Sequence, residues 1–264
     1  MSFLVALQIG LGEIFAHKFR SFLSMLGVVL GVSSLIATMA LTRGIEEGTR
    51  FFMQQVGGLE FVSIVPNEPS REMFEFANLS SGLTLRDAHS LRGSATLVSH
   101  ISPEITLSMS VSCGDSGNAE RRKARGILPD HFVIGMHGLA AGRWLVDLDV
   151  ERGTRSAVIG HTVAVQLWPG TPAVDIVGRT ILLDQTPFEV VGVLPLYERE
   201  EDARMRQLGK TPRPRRWDPF RQKNEAVLIP FSTMFHEFRS GAFPEDSMDS
   251  LKLDALSVRV GDLN

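Results

Sequence analysis

The sequence predicts an α+β fold: one N-terminal transmembrane helix, then a mixed α/β domain outside the membrane. Three observations carry this. Residues 21–42 form an uncharged, largely apolar run bounded by Arg20 and Arg43. Beyond residue 57 the apolar pattern switches repeatedly between the two-residue period of strands and the longer period of helices. The two kinds of segment mix without strict βαβ alternation, which favours α+β.

The run SFLSMLGVVLGVSSLIATMALT, Ser21 to Thr42, extends about 33 Å as a helix, enough for a hydrocarbon core of about 30 Å. A buried core helix of that length without one charge is unusual. A cleaved signal peptide is the rival reading, but its apolar region would span about 7–15 residues. The small-x-small cleavage pattern is also poor at Ala37-Thr38-Met39-Ala40-Leu41. Ahead of the run, Leu4, Leu7, Leu11, Ile14 and Phe15 recur at helical spacing. Residues 1–20 are therefore expected to form an interfacial amphipathic helix that bends into the span near Arg20. Lys18 and Arg20 on one flank balance Arg43 and Arg50 on the other, and the tighter first pair favours a cytoplasmic N-terminus. Inside the span, Gly27 and Gly31 form a G-x-x-x-G pair and Ser34 continues the small face. Small residues let a second helix approach closely, so this face is expected to pack against another membrane helix.

Past Thr42, Ile45, Phe52 and Val56 continue an apolar helical stripe, expected to end at Gly57-Gly58. Phe61–Val65 reads as a strand and 67–82 as a loop. Thr84 and Asp87 announce a helix over Leu85–Leu91. Val98–Thr106 and Leu107–Cys113 read as two strands, Gly114–Glu120 as a turn and Arg122–Leu128 as the returning strand. A short helix over Asp130–Ile134 precedes a glycine-punctuated loop, 138–144. Ala157–Gly160 reads as a strand entering a helix over His161–Trp168. Thr180–Leu183 and Phe188–Leu194 make a hairpin around Gln185-Thr186-Pro187. Ala226–Pro230, Ser232–Phe238 and Leu256–Val260 complete the domain as strand, helix and strand. Between Arg204 and Lys223 there are eight Lys or Arg, one acid (Asp218) and three prolines. The stretch 198–223 is therefore expected to be a mobile, solvated basic insertion.

A chain of 264 residues has room for one sizeable domain or two small ones. Its formal charge of −3 gives no global pull toward nucleic acid, and no nucleic-acid partner is expected. Cys113 is the sole cysteine, so neither an internal disulfide nor a cysteine metal cluster is available.

Several segments, in order, resemble the MacB/FtsX-type permease subunits of ATP-binding cassette (ABC) transporters. The run from Ala16 through Phe19-Arg20-Ser21-Phe22 to Gly31-Val32 looks like the family's basic-aromatic entry to its first membrane helix. Val158-Ile159-Gly160 with the helix Val163–Trp168 looks like a block of its extracytoplasmic domain. Ile176–Ile181, Phe188–Leu194 and Ala226–Phe231 look like the blocks that follow. The resemblance covers nearly the whole chain. It implies a bacterial inner-membrane protein, N-terminus cytoplasmic, with residues 43–264 as a MacB-like periplasmic core domain. It also implies an ABC ATPase subunit as partner and pairing as a homodimer or with a partner permease chain in the lipid bilayer. Export, or transmission of ATP-driven motion, would be the activity, with ATP hydrolysed on the partner. The family continues into three further membrane helices that residues up to Asn264 do not contain, so the remainder is expected on a longer polypeptide or a separate chain. The alternative is a single-pass anchored binding or scaffold module derived from such a permease.

The residues offer little for catalysis. Gly209-Lys210-Thr211 mimics the end of a phosphate-binding loop, but Arg204 stands where its first glycine belongs and Pro212 blocks the following helix. His131 and His137 are six apart, which places them on different faces of a helix and argues against a metal site. No G-x-S-x-G elbow is present, and an anchored hydrolase is disfavoured. Asp147, Asp149 and Glu151 read as a solvated turn, and Cys113 as structural. No catalytic, cofactor or metal residue is expected; the candidate site residues are Gly27, Gly31 and Ser34.

Overall fold

The computed structural model describes residues 17–58, 60–67, 82–114, 116–211, 218–239 and 251–261. The chain divides into two units, Met1–Phe52 and Met53–Asn264. In the first, one continuous helix, α1 (Lys18–Val56), runs through the apolar stretch and beyond it. It is long and apolar enough to cross a membrane, and its large side chains are exposed, Phe22 and Leu30 at 60% each. Two of its threonines bond back to the helix: the Thr38 hydroxyl donates to the Ser34 carbonyl and the Thr42 hydroxyl to the Thr38 carbonyl, both at 2.9 Å. Such back-bonding suits a helix with no water beside it. The proposed amphipathic stripe from Leu4 to Phe15 lies outside the described residues, while Lys18–Arg20 already belong to α1. The helix stops where glycines take over: Gly57 and Gly58 sit at φ 132° and 82°, values a side chain strains to reach.

Among the described residues the second unit has nine strands: β1 (Phe61–Ile64), β2 (Val98–Cys113), β3 (Ser116–Ile127), β4 (Ala141–Gly142), β5 (Ser156–Ile159), β6 (Thr180–Leu183), β7 (Thr186–Val193), β8 (Val227–Pro230) and β9 (Ala255–Val260). The helices are α2 (Leu85–Ser94), α3 (Asp130–Ile134), α4 (Asp147–Glu151), α5 (His161–Leu167), α6 (Ala173–Ile176), α7 (Glu200–Gln207), α8 (Pro219–Asn224) and α9 (Phe231–Met234), the last continued by a π turn at Phe235–Arg239. Beside β2, β9 pairs with β1, and the path then runs β3, β8, β5, β7, β4. Because β6 pairs with both β7 and β2, the ladder β2-β3-β8-β5-β7-β6 closes on itself. Ile105, Met109, Val111, Ile159, Ile181, Leu183, Phe188 and Val227 fill the resulting core, none more than 2% exposed. The α+β reading of the sequence holds.

Residues 98–113 form one strand of 16 residues where the sequence suggested two. The first half pairs with β9 and the second with β3, so β2 is shared between two sheets. Pro103 is tolerated near the handover. The Glu104 carbonyl accepts from Asp254 on the β9 side, so the missing N–H of Pro103 faces the edge where β3 has not yet joined. The expected turn at 114–120 is shorter, since β3 begins at Ser116. The β6–β7 hairpin turns at Asp184 and Gln185, both with positive φ (43° and 73°), one residue earlier than expected. Asp184 also fastens the closure of the ring: its carboxylate accepts from the Ser110 amide at 2.8 Å, and its amide donates to the Ser110 carbonyl.

The stretch 198–223 is not wholly loop. Helices α7 and α8 occupy its two ends, and residues 212–217 lie outside the described set. No residue of α7 is buried, whereas α8 tucks Phe220 into the core at 2% exposure. Asp218 caps α8 by accepting from the Phe220 amide at 3.1 Å, and Pro219 stands at its first turn.

Candidate functional site

Gly27, Gly31 and Ser34 lie on one side of α1, spaced by four and three residues. A Cβ built on either glycine would meet nothing within 4 Å. The small face is open along its length, and the backbone there is accessible to another helix.

The densest polar chemistry of the second unit surrounds the turn 129–138. Pro129 leads into α3, which ends after five residues at Gly135. Met136 then adopts φ 47° and reverses the chain. The reversal stacks the His137 ring on the His131 ring, centroids 5.3 Å apart and planes 29° from parallel. The expectation that these histidines lie on different helix faces is thus corrected: the helix ends between them. On its far side His131 meets Glu104 of β2, with Nδ1 3.2 Å from Oε1, within ion-pair range though off the line of a hydrogen bond. The Ser257 hydroxyl of β9 donates to the same Oε1. Glu104 is 6% exposed and His131 5%. Burial pushes the Glu104 carboxyl upward, but His131, Arg125 and Ser257 outweigh it and hold the carboxyl at about 2. His137 lies deep beneath protein atoms with one edge at a groove. Burial, then the charges of His131, Lys223 and Arg125, hold its pKa well below the ordinary value.

Four other segments converge on this turn. Lys223 of α8 donates to the Gly135 carbonyl at 2.6 Å and stands 5.0 Å over the Tyr197 ring; burial lowers its pKa to about 8. The Tyr197 hydroxyl accepts from the Gly138 amide at 2.6 Å. Asn224 and the Tyr197 backbone exchange two hydrogen bonds, 2.9 and 2.7 Å, that tie α8 to the strand exit after β7. Arg259 of β9 donates to the Val133 carbonyl at 3.3 Å and to Glu60 at 2.7 Å. Beneath the turn runs the chain leaving α1: Gly57 faces Phe61 and the Ile134 carbonyl, and Gly58 faces the Met136 sulfur. Among the described residues no group of three or more His, Cys, Asp or Glu could hold a metal ion.

Asp149 is the second residue whose environment the sequence reading missed. It sits in α4 rather than a solvated turn and is 4% exposed, covered by its own partners. Arg143 donates to both its oxygens, at 2.6 and 3.1 Å, while the Val146 amide and the Thr154 hydroxyl donate at 3.0 Å each. Burial raises its pKa, and these donors bring it below the ordinary value. Asp147 and Glu151 remain exposed. The available signal was Arg143, six residues before Asp149 and ahead of the helix; Val146 itself has no side-chain acceptor to announce a cap.

Gly209 is a helix C-terminal cap, not a phosphate loop. It takes φ 69° directly after α7, and the Lys210 amide returns to the Met205 carbonyl at 2.9 Å. Phosphates bind at the amide-rich N-terminal end of helices, and this is the opposite end. Cys113 is buried, with its sulfur 3.5 Å from the Leu167 carbonyl.

Comparison with known proteins places this architecture. The crystallised periplasmic region of MacB from Actinobacillus actinomycetemcomitans superposes with a TM-score of 0.54 at 15% identity, covering 80% of this chain and 79% of that one. The extracellular domain of the noncanonic ABC-type transporter YknZ from Gram-positive bacteria gives 0.52 at 17% identity, covering 77% and 84%. In sequence, the macrolide export ATP-binding/permease protein MacB of Rhodospirillum rubrum is 28% identical over 99% of this chain and 35% of its own length. The protein of the same name from Campylobacter jejuni is 27% identical over 71% and 28% respectively. The Bacillus subtilis ABC transporter permease YknZ, uncharacterised, is 26% identical over 74% and 47%. The chain thus spans about a third of the MacB proteins it matches. The family model for the MacB-like periplasmic core domain matches residues 21–260, from the apolar helix through β9, and the chain belongs to that family.

Proposed function

We propose that this chain is the anchored, extracytoplasmic part of an ABC permease that exports a substrate or transmits ATP-driven motion across the bacterial inner membrane. The observation that carries the reading is the family match from residue 21 to residue 260, which takes in both the apolar helix and the whole folded domain. In this reading residues 21–42 span the bilayer, the N-terminus is cytoplasmic and residues 43–264 lie on the far side. ATP is hydrolysed by a separate ABC ATPase subunit. The Gly27–Gly31–Ser34 face packs on a second copy of the chain or on a partner permease chain. The capped geometry at Gly209 supports assigning nucleotide chemistry elsewhere.

The test is co-expression of the full chain with the ABC ATPase subunits of its own genome, followed by purification in lipid nanodiscs. The expected result is a stable complex whose ATP hydrolysis rate differs from that of the ATPase alone, and no hydrolysis by this chain by itself. Failure of the two to co-purify, with the ATPase rate unchanged by the chain, would favour an anchored scaffold module instead.

A further inference from the structure

The two stacked imidazoles of the 129–138 turn share one carboxylate. Glu104 reaches His131 and can neutralise one imidazolium there. Nothing comparable reaches His137: its Nδ1 is buried without a hydrogen-bond partner, and its neighbours are rings. His131 stacks on one side, Phe132 meets it edge-on at 5.9 Å and Tyr197 edge-on at 6.3 Å. The charged groups packed around the pair are mostly positive: Arg125 from β3, Lys223 from α8 and Arg259 from β9, against Glu104 from β2. Asp147 of α4 lines the same surface groove as His137, a cavity of about 470 Å³, and Glu60 is engaged by Arg259. A proton on His137 would put a charge beside Lys223 and Arg125, on a ring largely covered by protein atoms and with no carboxylate in contact.

We propose that the stacked His131–His137 pair is a proton-operated latch on the turn that seats the exit of the membrane helix. The turn is closed while His137 is neutral. Acidification favours the protonated form of His137, and the turn opens so that the charged ring can be hydrated. What it would release is the packing around Gly57 and Gly58, the first residues after α1, where an added Cβ would come within 3.6 Å of the Ile134 carbonyl and the Met136 sulfur. An extracytoplasmic domain faces the pH of the surroundings, so external acidity would loosen the junction between anchor and domain. This purpose rests on the topology proposed above, but the latch itself does not.

The experiment is hydrogen exchange on the full chain in nanodiscs between pH 7.5 and 5.5, with rates corrected for intrinsic pH dependence. The reporters are the amides of Gly135, His137 and Gly138, which bond to the His131 carbonyl, the Phe132 carbonyl and the Tyr197 hydroxyl. An imidazole that stays neutral when closed and titrates near 6.5 when open predicts about a tenfold loss of protection over this range. The centre of β5 serves as the internal reference. His137→Phe keeps a ring in the stack and removes the proton site, so the pH dependence should vanish. Glu104→Gln removes the carboxylate beside the pair, so the loss of protection over this range should be larger than in the wild type. Protection at the turn that follows β5 across the range, or pH dependence that survives in His137→Phe, overturns the proposal. Should His137→Phe fail to fold, the imidazole resonances of the wild type decide: His137 titrating at the ordinary histidine value in the closed state also overturns it.

Discussion

Two buried carboxylates of this domain, Asp149 and Glu104, contrast in where their partners come from. Asp149 is satisfied by Arg143, Val146 and Thr154, all within six residues of it along the chain. Glu104 is satisfied by His131, 27 residues away, and by Ser257, 153 away. The first arrangement forms as soon as one loop closes onto one helix. The second exists only when β2, α3 and β9 have all assembled. Both carboxylates are buried, but local satisfaction leaves the partner in water, with the Arg143 side chain half exposed, whereas remote satisfaction buries both partners, at 8% and 6% side-chain exposure. Losing one partner should therefore cost more at Glu104, because the group left behind cannot turn to solvent.

Glu104→Ala is the most disruptive test. It strands His131 and the Ser257 hydroxyl in the interior and should lower the unfolding free energy of the domain by about 3 kcal/mol in denaturant titration of the full chain. Asp149→Ala should cost about 2 kcal/mol, since it deletes a helix cap and an ion pair but leaves Arg143 free to hydrate. If Asp149→Ala proves the more costly, burial of the surviving partner is not what separates the two sites.

Acid sharpens the same contrast. Glu104 is held at about 2 in the fold, below the carboxyl's ordinary value of 4.5. The unfolded chain takes up that proton first, so the contribution of Glu104 is complete above pH 4.5 and is lost progressively as pH falls toward 2. In Glu104→Gln the stability profile should be flatter over that interval, measured as unfolding midpoint against pH. An unchanged slope would mean that Glu104 is not the titrating group.

The smallest effect on the domain is expected from α1. Replacing Gly27 and Gly31 with leucine adds bulk where each Cβ meets no neighbour, so domain stability should move by less than about 0.5 kcal/mol. Membrane crosslinking should fall at equal membrane levels, because the helices can no longer approach closely. Crosslinking that survives the double substitution would assign assembly to the folded domain instead.

Much of the fold was legible in the amino-acid order. The uncharged run at 21–42, the Gly57-Gly58 stop and the Thr84–Asp87 capping box each act within a few residues, and each appears where expected. The ordered blocks from Val158 to Phe231 were enough to suggest the family that the comparisons then established. Helix α8 was also written locally, in Asp218-Pro219, but the surrounding basic charge obscured it. The unity of β2 was harder to read, because its continuity depends on two different partner strands.

The sequence by itself determined the long apolar helix, the caps, the strand alternation and the helix-ending role of Gly209, because all of these depend on dihedral preferences and on neighbours within about one helical turn. Only the tertiary structure decided that His131 and His137 stack, that Glu104 meets one of them, and that the turn carrying them faces Gly57 and Gly58. A helix period predicts divergent side chains at a spacing of six. The chain instead stops its helix at Gly135 and reverses at Met136, and the free energy for that reversal comes from Lys223, Tyr197 and Arg259, contributed by segments far away in sequence.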